Sequence, residues 1–243
     1  MPAEGERRAR ILGLLVGAGD GAFGARRLCD VCAEVTTMSG AGIMLMSAEI
    51  PDGSLCTTND MSDLIEQLQY ALGEGPCVDA YKQGWPVLEP DLAHAENPRW
   101  PAFAAAAVEA GVAAVFAFPL QVGAVRLGAL SLCRESRGPL SDDQHAYALV
   151  MADVAAQAIL VLQADAPPGK LAARLGAGAD FHYVVHQASG MVAAQLEVSV
   201  AQALVRLRAY AFGNGRPLAE VARDVVDRTL RFDAASGQRD PMP

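Results

Sequence analysis

Residues 181–232 read FHYVVHQASGMVAAQLEVSVAQALVRLRAYAFGNGRPLAEVARDVVDRTLRF, and the organisation of the chain follows from this stretch outward. Phe181, Val184, Val185, Ala188, Met191, Val192 and Leu196 recur at three- and four-residue spacing, which predicts a helix with one core-facing stripe. Ser199 followed by Gln202 has the pattern of a capping box, in which each side chain satisfies a backbone N–H at the helix start. A second stripe runs through Val200, Ala203, Leu204, Leu207 and Ala211. Gly213 and Gly215 are expected to end it, since glycine enters the left-handed region without a side-chain clash. Pro217 suits the first turn of a third helix, where its missing N–H costs nothing. The stripe then returns as Leu218, Val221, Ala222, Val225, Val226, Thr229 and Leu230. Helices this short are marginal alone, so the three are expected to pack on one another.

Charge sets the same region apart. The 243-residue chain carries a formal net charge of −9, but residues 1–169 hold −11, residues 170–232 hold +3 and the last eleven residues −1. Such asymmetry between halves points to a nucleic-acid surface on the less acidic half. The bland alternative is that Arg223, Arg228 and Arg231 only solvate the outer face of the third helix, which is what charged faces usually do.

The remaining chain is long and apolar enough for substantial cores, and it reads as mixed α/β. Arg7, Arg8 and Arg10 precede the apolar run Ile11–Gly19, a layout that superficially matches a secretion signal. Glu4 and Glu6 dilute its positive end and the run is short and glycine-rich, so residues 1–25 are expected to form a leading helix or a loose arm. Leu28, Val31 and Val35 mark a helix, and Gly42–Met46 a buried strand. Pro51-Asp52-Gly53 is a turn signal that predicts a hairpin into Ser54–Thr58. Met61–Leu72 reads as a helix ending in the loop Gly73-Glu74-Gly75-Pro76, Trp85–Glu89 as a strand, and Pro101–Ala110 as a helix. Val112–Gln121 and Val125–Arg134 read as neighbouring strands joined near Gly123. Ser141, with Asp142 and Asp143 behind it, caps a long helix expected to run to Gln163. Ala166-Pro167-Pro168-Gly169 interrupts any continuous helix beyond it. No apolar run reaches the length of a membrane span.

Two family resemblances emerge from these residues. Val185-His186-Gln187-Ala188-Ser189-Gly190-Met191-Val192, Ala203–Ala211 and Leu218–Ala222 resemble, in order and spacing, the three helices of an ANTAR domain, an RNA-binding antiterminator module; His182 and Ser189 stand where that family often has arginine and lysine. Leu72-Gly73-Glu74-Gly75-Pro76-Cys77-Val78-Asp79-Ala80, Trp100–Phe103, Phe118-Pro119-Leu120 and Leu127–Leu130 resemble a GAF domain of the kind found beside ANTAR modules. The resemblance implies an α+β GAF fold, an antiparallel sheet flanked by helices, followed by an all-α three-helix bundle. The corresponding boundaries are 1–25 for the arm, 26–163 for the GAF domain, 164–180 for a linker, 181–232 for the ANTAR domain and 233–243 for a flexible tail. It further implies a homodimer, for which the stripe Ala148, Met151, Ala152, Ala155, Ile159 and Leu162 suits pairing with a second copy.

Other chemistry is sparse. Cys29 and Cys32 form a single C-x-x-C without a partner pair, poor support for zinc, and are read as small packing residues of a helix. Cys77 is placed in a glycine-rich loop, as a structural residue. An odd total of five cysteines in a long chain favours reduced thiols and a cytoplasmic location. His94, His145, His182 and His186 are scattered; the last two stand at i, i+4 but lack a third ligand. Gly73-Glu74-Gly75 is not a dinucleotide fingerprint. No nucleophile–base constellation is visible, so no catalytic residue, metal or cofactor is assigned and the chain is not read as an enzyme.

The expected function is that of a GAF sensor controlling an ANTAR module that binds paired stem-loops in nascent mRNA and prevents transcription termination. The alternative is a GAF-based signalling dimer whose C-terminal helices dock a protein. Candidate RNA-binding residues are Arg206, Arg208, Tyr210, Asn214, Arg216, Arg223 and Arg228, since guanidinium groups grip phosphates and planar side chains stack on splayed bases. Arg208 and Asn214 are carried over from the family resemblance; charge and helix face select the others. The small ligand or protein recognised by the GAF domain is left unassigned, and no membrane partner is expected.

Overall fold

Five strands form the centre of the first of two compact units into which the chain divides, Met1–Tyr70 with Glu74–Ala177 and Ala71–Gly73 with Gly178–Pro243. The structure is a computed structural model that describes residues 3–16, 24–47, 50–94, 99–164 and 179–233. The proline-rich interruption at 166–169, and all of the tail beyond Asp233, lie outside the described residues.

The strands are β1 (Gly40–Ser47), β2 (Ile50–Thr57), β3 (Val87–Glu89), β4 (Ala114–Val122) and β5 (Val125–Arg134). Their order is β2-β1-β5-β4-β3, and each neighbouring pair is antiparallel. β4 and β5 read as near-continuous apolar runs because helices cover both faces of the sheet. On one face, Phe116, Phe118, Leu120, Leu130 and Leu132 share a core with α1 (Glu4–Val16), α2 (Ala25–Thr36) and α6 (Asp142–Ala164). On the other lie α3 (Asp60–Leu72) and α4 (Pro76–Gln83), and α5 (Pro101–Glu109) completes the unit. Ser141 and Gln144 cap α6 reciprocally, each side chain bonding the other's backbone N–H at 3.2 and 3.0 Å.

Several expectations are corrected here. Pro51-Asp52-Gly53 is not a turn: it lies inside β2, opposite Met46 and Leu45, where the register shifts as at a β-bulge. β2 is an edge strand, the one place where a strand tolerates a proline and an unpaired residue. Pro76 starts a helix rather than continuing a loop, so Cys77 is a fully buried residue in the first turn of α4. The N-terminal segment forms α1, held by an Arg7–Asp143 ion pair at 3.0 Å, an Arg8–Asp153 ion pair and buried Ile11 and Leu15.

The stripe expected to face a second chain is instead consumed within this one. Ala148, Met151, Ala155 and Ile159 are fully buried in the core beside α2 and the sheet. Although no uninterrupted apolar run has the length of a span, the helix Asp142–Leu162 is long and apolar enough to cross a membrane by length and composition, and half of it is buried inside the unit. Asp153 and Gln157 divide its apolar residues into shorter runs. Finally, Cys29 is joined to Cys56 by a disulfide, against the expectation of reduced thiols. Packing of α2 on the sheet brings their Cα atoms to 6.2 Å, within disulfide reach. Cys32, Cys77 and Cys133 remain buried free thiols.

The second unit holds α7 (Ala179–Leu196), α8 (Val200–Gly213) and α9 (Leu218–Val226). Their stripes meet: Val185, Ala188, Val192, Ala203, Leu207, Val221, Ala222 and Val225 are fully buried. Glu197 adopts a left-handed φ of 54°, and the chain bends by 104° between α7 and α8. The Ser199–Gln202 capping box starts α8. α9 ends at Val226, earlier than the stripe suggested. Arg228 turns left-handed at φ 64°, which leaves Thr229 exposed while Leu230 and Phe232 fold back into the core.

Candidate functional site

The C-terminal end of α8 builds a site in the second unit where several candidate residues converge. Arg206, Ala209, Tyr210 and Gly213 occupy one face at helical spacing. Asn214 closes that helix: its backbone N–H and its side-chain Nδ2 both donate to the Tyr210 carbonyl, at 3.1 and 2.8 Å. Gly215 then reverses the chain with φ 60°. From the opposite side Phe232 arrives after α9, its backbone N–H donating to Gln195 Oε1 at 2.9 Å. Its ring is 4% exposed and meets Tyr210 edge to face, with centroids 5.5 Å apart. A cavity of about 460 Å³ lies between these groups, walled by Leu196, Arg206, Ala209, Tyr210, Gly213, Asn214, Phe232 and Asp233.

Three of the seven candidates, Arg206, Tyr210 and Asn214, therefore share a wall. The other four do not line it. Arg208 is half-buried on α8, and Arg223 and Arg228 are exposed on and after α9. Arg216 is engaged internally, 2.8 Å from Asp224 and 4.0 Å from Glu220. The hydrogen bond to Asp224 raises its pKa further, so this guanidinium is charged but its field is shared with two carboxylates. Leu196, Phe232 and Asp233 were missed as site residues. Leu196 is the last residue of α7, whereas Phe232 and Asp233 owe their place to the reversal after Val226, and helical periodicity carries no signal for what the chain does once the period stops.

The Gly-Glu-Gly-Pro-Cys motif that follows α3 has a structural explanation. Gly73 and Gly75 take φ values of 68° and 134°, a region that disfavours side chains. Glu74 Oε1 accepts from the backbone N–H groups of Ala102 and Phe103, both at 3.0 Å, and so satisfies orphan donors at the start of α5. Asp79 accepts from Trp100 Nε1 at 3.0 Å. Beneath this loop lies a buried polar cluster. Gln69 Oε1 accepts from the Cys77 backbone N–H at 2.7 Å, and Ser131 donates to Glu66 Oε1. Burial pushes the Glu66 carboxyl up to about 8, and it also pushes up the Cys133 thiol, to about 12, and the Cys77 thiol. Thiols held this way stay protonated and inert. Among the described residues no group of three His, Cys, Asp or Glu side chains could hold a metal ion.

Comparison with known proteins places both units. The GAF-domain profile matches residues 25–160, more than half of the chain, and the ANTAR-domain profile matches residues 173–226. The chain is similar to the solved GAF domain from an Acinetobacter phosphoenolpyruvate-protein phosphotransferase, with 12% identity over 68% of this chain and 98% of that one and a TM-score of 0.50. The GAF domain from the corresponding protein (ptsP) of Coxiella burnetii is 13% identical over 66% of this chain and 95% of that one, with a TM-score of 0.49. At such identities the likeness concerns fold alone. No curated protein matches the chain.

Proposed function

Because the chain belongs to the GAF family and continues into an ANTAR domain, we propose that it is a cytoplasmic regulatory homodimer whose GAF unit senses a signal and whose ANTAR unit binds paired stem-loops in nascent mRNA. GAF domains are sensors and ANTAR domains are RNA-binding antitermination modules. Holding a two-hairpin structure in the leader would keep the competing terminator hairpin from forming. The observation that carries this reading is the coincidence of the ANTAR match with the unit whose α8 end gathers Arg206, Tyr210 and Asn214 around one cavity. Arginine and aromatic groups on one wall are the chemistry that grips loop phosphates and stacks unpaired bases.

Dimerisation is supported by a different surface from the stripe first considered. On α1, Leu12 is exposed and Val16 is 81% exposed; on α6, Leu149 is exposed and Val161 is 63% exposed. These two helices pack on each other through the Arg8–Asp153 ion pair and the Arg8–Gln157 hydrogen bond. Apolar residues left outside such a packed pair are what a second copy would cover.

The test is competition binding with RNAs of equal length. A leader with two hairpins should bind better than a linear RNA. Equal binding across many leaders would contradict the antitermination reading and favour protein docking by the C-terminal helices.

A further inference from the structure

We propose that Cys29 and Cys56 form a reversible thiol–disulfide couple that latches the edge strand β2 to α2, and through which the GAF unit responds to thiol redox state. This inference rests on the sensing role proposed above and names its signal. The two cysteines belong to different elements, and a local irregularity brings them together. Ile43 pairs with Cys56 and Met44 with Ser54, so Leu55 is an extra residue in β2. Successive strand residues ordinarily face opposite sides of a sheet. Here Leu55 and Cys56 both enter the core shared with α2, which is what a bulge achieves by re-aiming a side chain. The Cα atoms of Cys29 and Cys56 then stand 6.2 Å apart and the sulfurs are joined. In the reducing compartment proposed for this chain, a disulfide is ordinarily a transient or redox-sensing bond rather than a permanent staple.

The surroundings suit a bond that opens and closes. Cys29 is fully buried, whereas Cys56 lies on an outermost strand and is 9% exposed, so a reductant meets the Cys56 sulfur first. A thiolate of a cellular dithiol attacks Cys56 Sγ, the S–S bond breaks, and Cys29 leaves with its electron pair and takes up a proton. The second thiolate of the dithiol then attacks its own sulfur in the mixed disulfide and releases Cys56, which is protonated in turn. Two electrons and two protons thus pass to the protein, and the dithiol departs as a disulfide. The reduced form has an acceptor in place, since Cys29 Sγ lies 3.2 Å from the Cys56 carbonyl oxygen. Cys32, one turn along α2, does not compete, because burial pushes its thiol up and keeps it protonated. The latch also has a route into the rest of the unit. Arg27 of α2 donates to the Leu14 carbonyl of α1 at 2.8 Å, and Gln144 of α6 donates to the Thr36 carbonyl at the end of α2 at 3.1 Å.

The test uses the intact protein without denaturant, equilibrated in mixtures of reduced and oxidised glutathione or in excess dithiothreitol. Samples are acid-quenched, unfolded, alkylated and weighed. Oxidised protein should carry three alkylated thiols, Cys32, Cys77 and Cys133, and reduced protein all five. Returning reduced protein to oxidised glutathione should restore the three as the glutathione disulfide is reduced. Amide exchange in β2 and α2 should run about tenfold or more faster in the reduced form, as expected for releasing one crosslink. Exchange should also quicken in α1 and hardly change in β3 and α4. Cys29→Ser combined with Cys56→Ser should exchange like reduced wild type whether or not dithiothreitol is present, and Cys32→Ser should keep the couple. Three alkylated thiols at every glutathione ratio and in dithiothreitol would make the bond a permanent staple and overturn the proposal. Five thiols with unchanged exchange in β2 and α2 would overturn the latch, while the sensing role, which rests on the GAF match, would stand with a signal of another class.

Discussion

Glu66 is fully buried against the sheet, with Ser131 on one carboxylate oxygen and, among the described residues, no hydrogen-bond partner on the other. Desolvation dominates, opposed by the Ser131 hydrogen bond and aided by nearby Asp63, and the folded carboxyl titrates near 8 instead of 4.5. Folding therefore favours the protonated acid. That preference is fully expressed below the unfolded value, declines as pH rises through the window between the two, and is gone once the pH passes the folded one. The neighbouring thiols Cys77 and Cys133 stay neutral across this window because burial raises them further still. Glu66→Gln keeps an acceptor for Ser131 but carries no proton to lose. Between about pH 5 and about pH 8.5, the urea midpoint of the wild-type GAF unit should fall relative to that of the variant. Parallel midpoints over that range would show that the carboxyl is not held protonated by the fold.

At the scale of elements, α9 is the shortest helix of the second unit and depends most on its inner stripe. Ala222 sits at its centre with no exposed surface, so Ala222→Asp would bury an unpaired carboxylate at a cost of several kcal/mol, on the order of 3–5. Proteolysis should then cleave the C-terminal helices and spare the GAF unit; wild-type resistance of that segment would contradict the placement of this face. Much of this unit was legible in the sequence because its helices obey local rules: a stripe, a capping box at Ser199, glycine at the turn. The GAF strands β4 and β5 were legible for a similar reason. What escaped was non-local. Pro51-Asp52-Gly53 has turn chemistry, and only the edge position of β2 lets it lie in a strand. Pro76 follows two glycines and reads as loop, yet Gln69 and the packing of α4 on the sheet make it a helix start. Cys29 and Cys56 are 27 residues apart, and only the fold makes them neighbours. The cavity was half legible: charge and helix face select Arg206 and Tyr210, and the family resemblance adds Asn214. Phe232 and Asp233 join them through a chain reversal that no period encodes.

For the molecule as a whole, the proposed function gives sensing to the GAF unit and RNA to the ANTAR unit, and it assigns pairing to the exposed apolar residues of α1 and α6. Wild-type protein should sediment as a dimer at micromolar concentration, and Leu12→Glu combined with Val161→Glu should shift it toward monomer without unfolding it. A wild-type monomer would remove the dimer from the account. On that proposal RNA selectivity comes from shape and from a doubled site, since a chain of net charge −9 attracts polyanions weakly. The most direct measurement of the central claim is the salt dependence of binding to a two-hairpin leader, for wild type and Arg206→Ala. The logarithm of the affinity should fall linearly with the logarithm of salt concentration, and the variant's slope should be shallower by about 0.7–0.9, the counterion release of one phosphate contact. An affinity that ignores salt, or an identical slope in the variant, would contradict RNA binding at this face of α8.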